Sequence, residues 1–222
     1  MNDHRIAVIG MSARMPGADS VEEFWRRALS GTVDVHRFTE AELRGAGLSP
    51  DLRAAAAGLG DISAFDASFF GLTADRAART DPQHRIFYEV AHHALEDAGH
   101  AAGGGVRTGV YAGAGYDVYP LHGYLRHQLG DVAEEAAADR ASSLELAADN
   151  ASGFLAARTA ALLGLSGPAV GVQTGASTGL TAVRLAVAAL LDGEADLAIA
   201  GASAVHVPQV LGYLPDKGYG LS

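Results

Sequence analysis

Apolar and polar positions along this chain alternate between short continuous runs and stripes at helical spacing. Ile6-Ala7-Val8-Ile9 is an apolar run closed by Gly10, the pattern of a buried first strand. Ser20 followed three residues later by Glu23 is a capping-box pattern, predicting a helix from Val21 to about Leu29 that stops at Gly31. Residues 32–62 read as irregular, with an alanine-rich piece at 54–57. The apolar cluster Phe65 to Gly71 precedes a predicted long helix over 75–98. There Ile86, Phe87, Val90, Ala94 and Leu95 recur at helical spacing and Gly99 ends the pattern. Thr108 to Ala112 reads as a strand with Gly113 to Gly115 as its turn, and residues 130–148 as an exposed, acidic, alanine-rich insertion. A helix from Asn150 to Leu163 closed by Gly164, a strand Ala169 to Val172, an apolar helix reaching Leu191 and a strand Leu197 to Ala200 follow. Strands separated by long helices predict an α/β fold with crossover connections.

Composition narrows the function classes. The chain has 222 residues, 49% hydrophobic and 19% charged, enough for a folded core. Its formal net charge of −10, with no basic stretch, argues against nucleic acid and anionic membrane as partners. The most apolar stretch, Val183 to Ala200, is interrupted by Asp192, Glu194 and Asp196, too early to span a bilayer. Met1 to Arg5 runs straight into the first apolar run without a signal-peptide core, so the expected location is cytoplasmic. There is no cysteine, which removes disulfides, thiolate metal sites and thiol nucleophiles together.

The strand–turn–helix at 168–191 carries the most chemistry. A turn between a buried strand and an apolar helix presents a side chain at a helix N-terminus, where free N–H groups and the dipole favour an anion. The turn here reads Gln173-Thr174-Gly175-Ala176-Ser177-Thr178-Gly179. Ser177 is the one hydroxyl that invites a nucleophile reading, but a serine needs a positioned base and no histidine lies near it in sequence, so capping or packing is its expected role. His92 and His93 lack metal-ligand spacing, His122, His127 and His206 have no better claim, and no metal is expected. Gly113-Ala114-Gly115 is too short a signal for phosphate binding. The Asp81 to Arg85 string is expected to fix a helix entry, and Arg184 to be solvated or at an interface.

These residues resemble the β-ketoacyl synthases, the condensing domains of fatty acid and polyketide synthases. The family's active-site segment is a Gly-Pro, a short strand, Asp-Thr-Ala, the nucleophilic Cys, then Ser-Ser-Ser-Leu. Gly167-Pro168 and Leu180 fix the register. On it, the family's cysteine falls on Ala176, its acid on Gln173 and its last serine on Gly179. The resemblance covers the chain: Ile6 to Ser12 with Arg14, Pro16 and Gly17; Phe24-Trp25; Phe65 to Gly71; Asp81 to Arg85 with Ala94 to Gly99; Asn150, Arg158 and Leu163 to Leu165; Gly193-Glu194 and Asp196 to Gly201. Modular polyketide synthases are the nearest relatives it suggests.

The resemblance implies the N-terminal half of a thiolase-like, αβαβα-layered fold, with a mixed, mostly parallel sheet and helices on both faces. Residues 1–222 would be one ketosynthase-like half-domain, with the C-terminal half and its catalytic histidines and lysine absent. It implies that the chain has no catalytic residue of its own, with Gln173, Thr174, Gly175, Ala176, Ser177, Thr178 and Gly179 a degenerate active-site segment. A homodimer, or a heterodimer with another ketosynthase chain or C-terminal half, is expected across Ala169, Val170, Gly171, Val172 and Gln173, supported by Asn150 and Arg158. No bound cofactor is expected; a phosphopantetheinyl acyl carrier protein is the implied substrate carrier. The expected function is a catalytically inactive ketosynthase-like subunit of a polyketide synthase. The alternatives are a truncated or Cys→Ala-trapped synthase of decarboxylative Claisen condensation on carrier-bound thioesters, or a decarboxylase in complex with a complementing half.

Overall fold

The computed structural model describes residues 5–52, 54–115, 144–145, 148–207 and 209. Contacts divide the described residues into two compact units, one within 5–12 and 62–204, the other within 13–61 and 205–209.

The larger unit is built on β3 (Thr108–Ala114), β4 (Ala169–Gly171) and β5 (Leu197–Ser203), a parallel sheet in the order β4-β3-β5. Val110 is opposite both Ala169 and Ile199, so β3 is the central strand. Its period-2 alternation sorts the core. Val110, Ala112 and Ala114 face one side with Phe87, Tyr88, Leu95, Leu155 and Ala160, from α4 (Pro82–Asp97) and α5 (Leu155–Leu162). Tyr111 faces the other with Ala182, Ala186 and Ala189 of α6 (Thr178–Leu191). The result is a parallel sheet with helices on both faces, the layering a thiolase-like half requires.

Several elements differ from the sequence reading. Ile6 to Ile9 is not a strand. No ladder is formed on these residues, and Val8 is 78% exposed. What holds the segment is the end of α4: Met11 N–H donates to the Asp97 carboxylate at 2.8 Å, and a side chain on Gly10 would collide with Ala94 and Ala98. The long helix expected over 75–98 is two helices, α3 (Ala74–Arg79) and α4. Pro82 takes the first position of α4 and holds Asp81, which caps it by accepting from Gln83 N–H, out of the helical region; Thr80 is extended as well. The Asp81 to Arg85 string therefore does set a helix entry, as its pattern suggested. The turn expected at Gly113 to Gly115 starts later, because β3 continues to Ala114. The helix expected from Asn150 is interrupted, with a 3-10 turn at Ser152–Phe154 before α5. The insertion at 130–148 lies outside the described residues except 144, 145 and 148, of which Leu144 and Glu145 are exposed. His122 and His127 also lie outside them.

In the smaller unit, α1 (Val21–Leu29) forms where its caps place it. Ser20 accepts from Glu23 N–H, but Glu23 reaches back to Asp19 N–H rather than to Ser20, so the box is half closed. Residues 32–62 are more regular than their pattern suggested. A two-stranded antiparallel ribbon of β1 (His36–Arg37) and β2 (Ala55–Ala56) flanks α2 (Glu40–Gly45), whose Thr39–Glu42 capping box is complete.

A buried charge cluster ties distant segments of the larger unit together. Asp149 accepts from Arg76 Nε at 2.8 Å and Nη2 at 3.1 Å, and its Oδ1 also lies 2.8 Å from Arg158 Nη2. One carboxylate thus joins α3, the segment at 148–150 and α5. Removing it strands two guanidinium groups that are mostly shielded from water, so Asp149→Ala is expected to cost about 2–4 kcal/mol, read as a lower urea midpoint.

His84 is fully buried beside this cluster, and neither imidazole nitrogen makes a hydrogen bond of normal geometry; a weak interaction with the Asp149 backbone remains. Burial holds its pKa below the usual histidine value, an effect that Arg158 reinforces and that Asp81 and Asp149 oppose. The unfolded chain then binds this proton more readily than the folded one. The contribution of His84 to stability is accordingly constant above about pH 7 and declines as the pH falls below about 6.5, the unfolded histidine value. Melting temperature measured from about pH 8 to 5 should show this decline, and His84→Leu should flatten it.

Candidate functional site

The sequence-predicted site is assembled at the C-terminal ends of β3 and β4. The last β4 rung is Val172 N–H donating to Ala112 C=O at 2.8 Å. From there the chain turns through the 3-10 segment Gly175–Ser177 into α6. Two features fix the turn against β3. Gly113 has no room for a side chain, since one would strike Val172 C=O and the Thr178 methyl. Gly175 takes φ +64°, a left-handed conformation that glycine adopts at no steric cost.

Within the turn, polar side chains bond to one another and to the backbone. Thr178, which is buried, accepts from Thr174 N–H at 3.1 Å and donates to Gly175 C=O at 2.8 Å. Ser177 Oγ donates to Thr174 C=O at 2.9 Å and lies 3.0 Å from Thr174 Oγ1. Thr174 Oγ1 in turn donates to Thr181 Oγ1 at 3.0 Å. Gln173 Nε2 donates to Ala114 C=O at 2.8 Å. Ser177 therefore does not cap α6: it makes no bond to a backbone N–H of the helix and instead donates back toward the turn. Geometrically it precedes the helix without offering its oxygen to the first turn. A spacing signal for this network was present, since Thr174, Ser177, Thr178 and Thr181 recur at i, i+3, i+4 and i+7, which puts their hydroxyls on one side.

Ala176 stands exposed in the middle of the turn, and no imidazole is among the partners of Ser177. The polar side chains of the turn are, among the described residues, engaged in hydrogen bonds with one another and with the backbone. Among the described residues no three histidine, cysteine or acidic side chains lie together as a metal site. His92 is engaged otherwise, 3.4 Å from Glu96 and edge-on to the Phe69 ring at 4.7 Å.

The other predicted site residues occupy two settings. Ala169, Val170 and Gly171 form β4, all three exposed, on a strand that pairs only with β3 among the described residues. Val172 is buried and Gln173 half-buried. Asn150 is buried and Arg158 is engaged with Asp149. Gly171 allows a close approach to Gly153, since a side chain would come within 2.6 Å of Gly153 C=O. Sequence reasoning missed Gln83, whose Oε1 accepts from Gly115 N–H at 3.1 Å and braces the end of β3 from α4. Nothing in the local pattern marks a contact across 32 residues.

α6 leaves a face uncovered. Ala182, Ala186 and Ala189 pack on the sheet, whereas Leu180, Val183, Arg184, Ala188 and Leu191 are exposed, Leu180 by 79%. No helix among the described residues is long and apolar enough to cross a membrane.

Comparison with known proteins agrees with this geometry. The family model described as "Beta-ketoacyl synthase, N-terminal domain" matches residues 3–217. The chain is 40% identical over 225 residues to a component of the phenolphthiocerol/phthiocerol polyketide synthase of Mycobacterium tuberculosis, covering 97% of this chain and 15% of that protein. Ketosynthase twelve from the bacillaene polyketide synthase of Bacillus amyloliquefaciens superposes with a TM-score of 0.81 at 29% identity, covering 97% of this chain and 37% of that one. The ketosynthase from module 1 of the same organism's bacillaene synthase gives 0.76 at 28% identity, over 95% and 36% of the two chains. The sequence thus spans a minor part of the proteins it matches. By motif, fold and similarity together, the chain belongs to the β-ketoacyl synthase family, as the N-terminal domain of a polyketide-synthase ketosynthase.

Proposed function

We propose that these residues form a ketosynthase N-terminal half that carries no nucleophile and serves as the structural complement of another ketosynthase chain or C-terminal half. The observation that carries this reading is the turn itself. Ala176 occupies the position where the family resemblance places the attacking sulfur, and no cysteine exists anywhere in the chain. A methyl group cannot form a thioester, and the neighbouring Ser177 spends its hydroxyl on Thr174. Gln173 and Gly179 differ from the family segment as well, which fits a site rebuilt at several positions better than a single trapping substitution.

On this reading residues 1–222 act as one ketosynthase-like half-domain in a cytoplasmic polyketide assembly. The open apolar face of α6 supports a partner surface, and a homodimer or heterodimer would form by backbone pairing along the exposed edge of β4, with Asn150 and Arg158 holding the strand from behind. Where the partner is another ketosynthase chain, acyl groups would reach it on a phosphopantetheinyl carrier protein and be attached to that chain's own nucleophile.

Intact-mass measurement tests the dead-site claim. Incubated with an acyl N-acetylcysteamine thioester or with acyl-loaded carrier protein, the chain should gain no acyl mass. An adduct that disappears in Ser177→Ala would show that the hydroxyl is a nucleophile after all and would defeat the proposal.

A further inference from the structure

We infer that Gln173 is the positioning residue of the 173–178 turn: its neutral carboxamide clamps the turn to the end of β3, a role that an ionised acid at the same position could not fill. The inference rests on the non-catalytic reading only for the meaning of the turn, because the clamp itself is read by stability and not by acylation.

The backbone ladder between β3 and β4 ends at Val172. In its register Ala112 faces Gly171, so the next rungs would fall at Gly113 and Ala114, opposite Val172 and Gln173. The chain has already begun to turn there, and Ala114 C=O accepts instead from the Gln173 side chain. An amide Nε2 donates; a carboxylate has only acceptors and would set two oxygens against each other. The same side chain's Oε1 lies 3.4 Å from Thr178 Oγ1, the hydroxyl that accepts from Thr174 N–H. One uncharged group thus touches both the strand end and the first helical residue. The N–H of the same peptide unit as Ala114 C=O, that of Gly115, donates to Ser203 C=O of β5 at 2.6 Å and is shared with Gln83 Oε1 at 3.1 Å. At the end of β3 the N–H side is therefore held by β5 with help from Gln83, and the C=O side by Gln173.

The consequence is a turn whose shape does not depend on ionisation. The family resemblance assigns an acid to position 173, and with an amide there the turn becomes a fixed structural corner, set independently of what stands at 176.

The test compares Gln173→Glu with the near-isosteric Gln173→Met, each measured against the unsubstituted chain at the same pH so that the titration of His84 cancels. At about pH 7.5 both variants should melt about 3–6 °C lower, the effect of one lost hydrogen bond in a chain of this size. Near pH 4.5–5 a protonated glutamic acid can donate to Ala114 C=O again. There the deficit of Gln173→Glu should shrink by at least half, while that of Gln173→Met should persist. Amide hydrogen exchange at residues 174–177 should follow the same pattern. A Gln173→Glu chain as stable as the original at neutral pH, or a deficit equal to that of Gln173→Met at both pH values, would overturn the assignment.

Discussion

The organisation of this molecule depends on one helix that is apolar around most of its circumference. α6 uses Ala182, Ala186 and Ala189 to lie close on the sheet, against Tyr111 of the central strand. Small side chains permit that approach, and the same choice leaves the larger Leu180, Val183 and Leu191 pointing elsewhere. A helix of this kind is stable when it is enclosed. Burial of a further side is worth about 25 cal/mol per Å² of apolar surface removed from water, so a leucine and valine face left open is a substantial driving force for association.

The turn that starts α6 inherits its position from the same packing. β4 must run parallel to β3 and stop where Gly113 admits no side chain. The chain is then directed across the end of β3 and into α6. On the proposed reading, this corner is where the family's nucleophile would stand. Here a methyl group stands on it, and the surrounding threonine, serine and glutamine side chains bond inward to each other and to the backbone. The corner is well built for shape, and its polar groups are already committed within it.

Much of this was legible in the sequence, for identifiable reasons. β4, α6 and β5 were readable because short apolar runs bounded by glycine alternate with a long apolar segment, and α1 because Ser20, Glu23 and Gly31 mark its ends. The turn residues were found by register between Gly167-Pro168 and Leu180. Ile6 to Ile9 misled because a strand is a property of a pair: the apolar run is there, but no ladder forms on it. The helix break at Thr80 was written in Asp81-Pro82 and was overridden by the longer apolar period. The Thr39–Glu42 capping box was equally visible and lay in a segment read as irregular. Contacts such as Arg76 with Asp149, 73 residues apart, have no local signature at all. Ser177 sits at the residue before the helix, where a capping role is the default, and only the geometry shows its oxygen turned toward Thr174.

As proposed, a partner covers the open side of α6, and this is the central claim. Light scattering coupled to size-exclusion chromatography on the isolated 222-residue chain addresses that claim most directly. The expected result is a mass above that of a single 22.7 kDa chain, resolving to a defined complex when a ketosynthase C-terminal half is supplied. A stable, monodisperse 22.7 kDa species that ignores such a partner would contradict it.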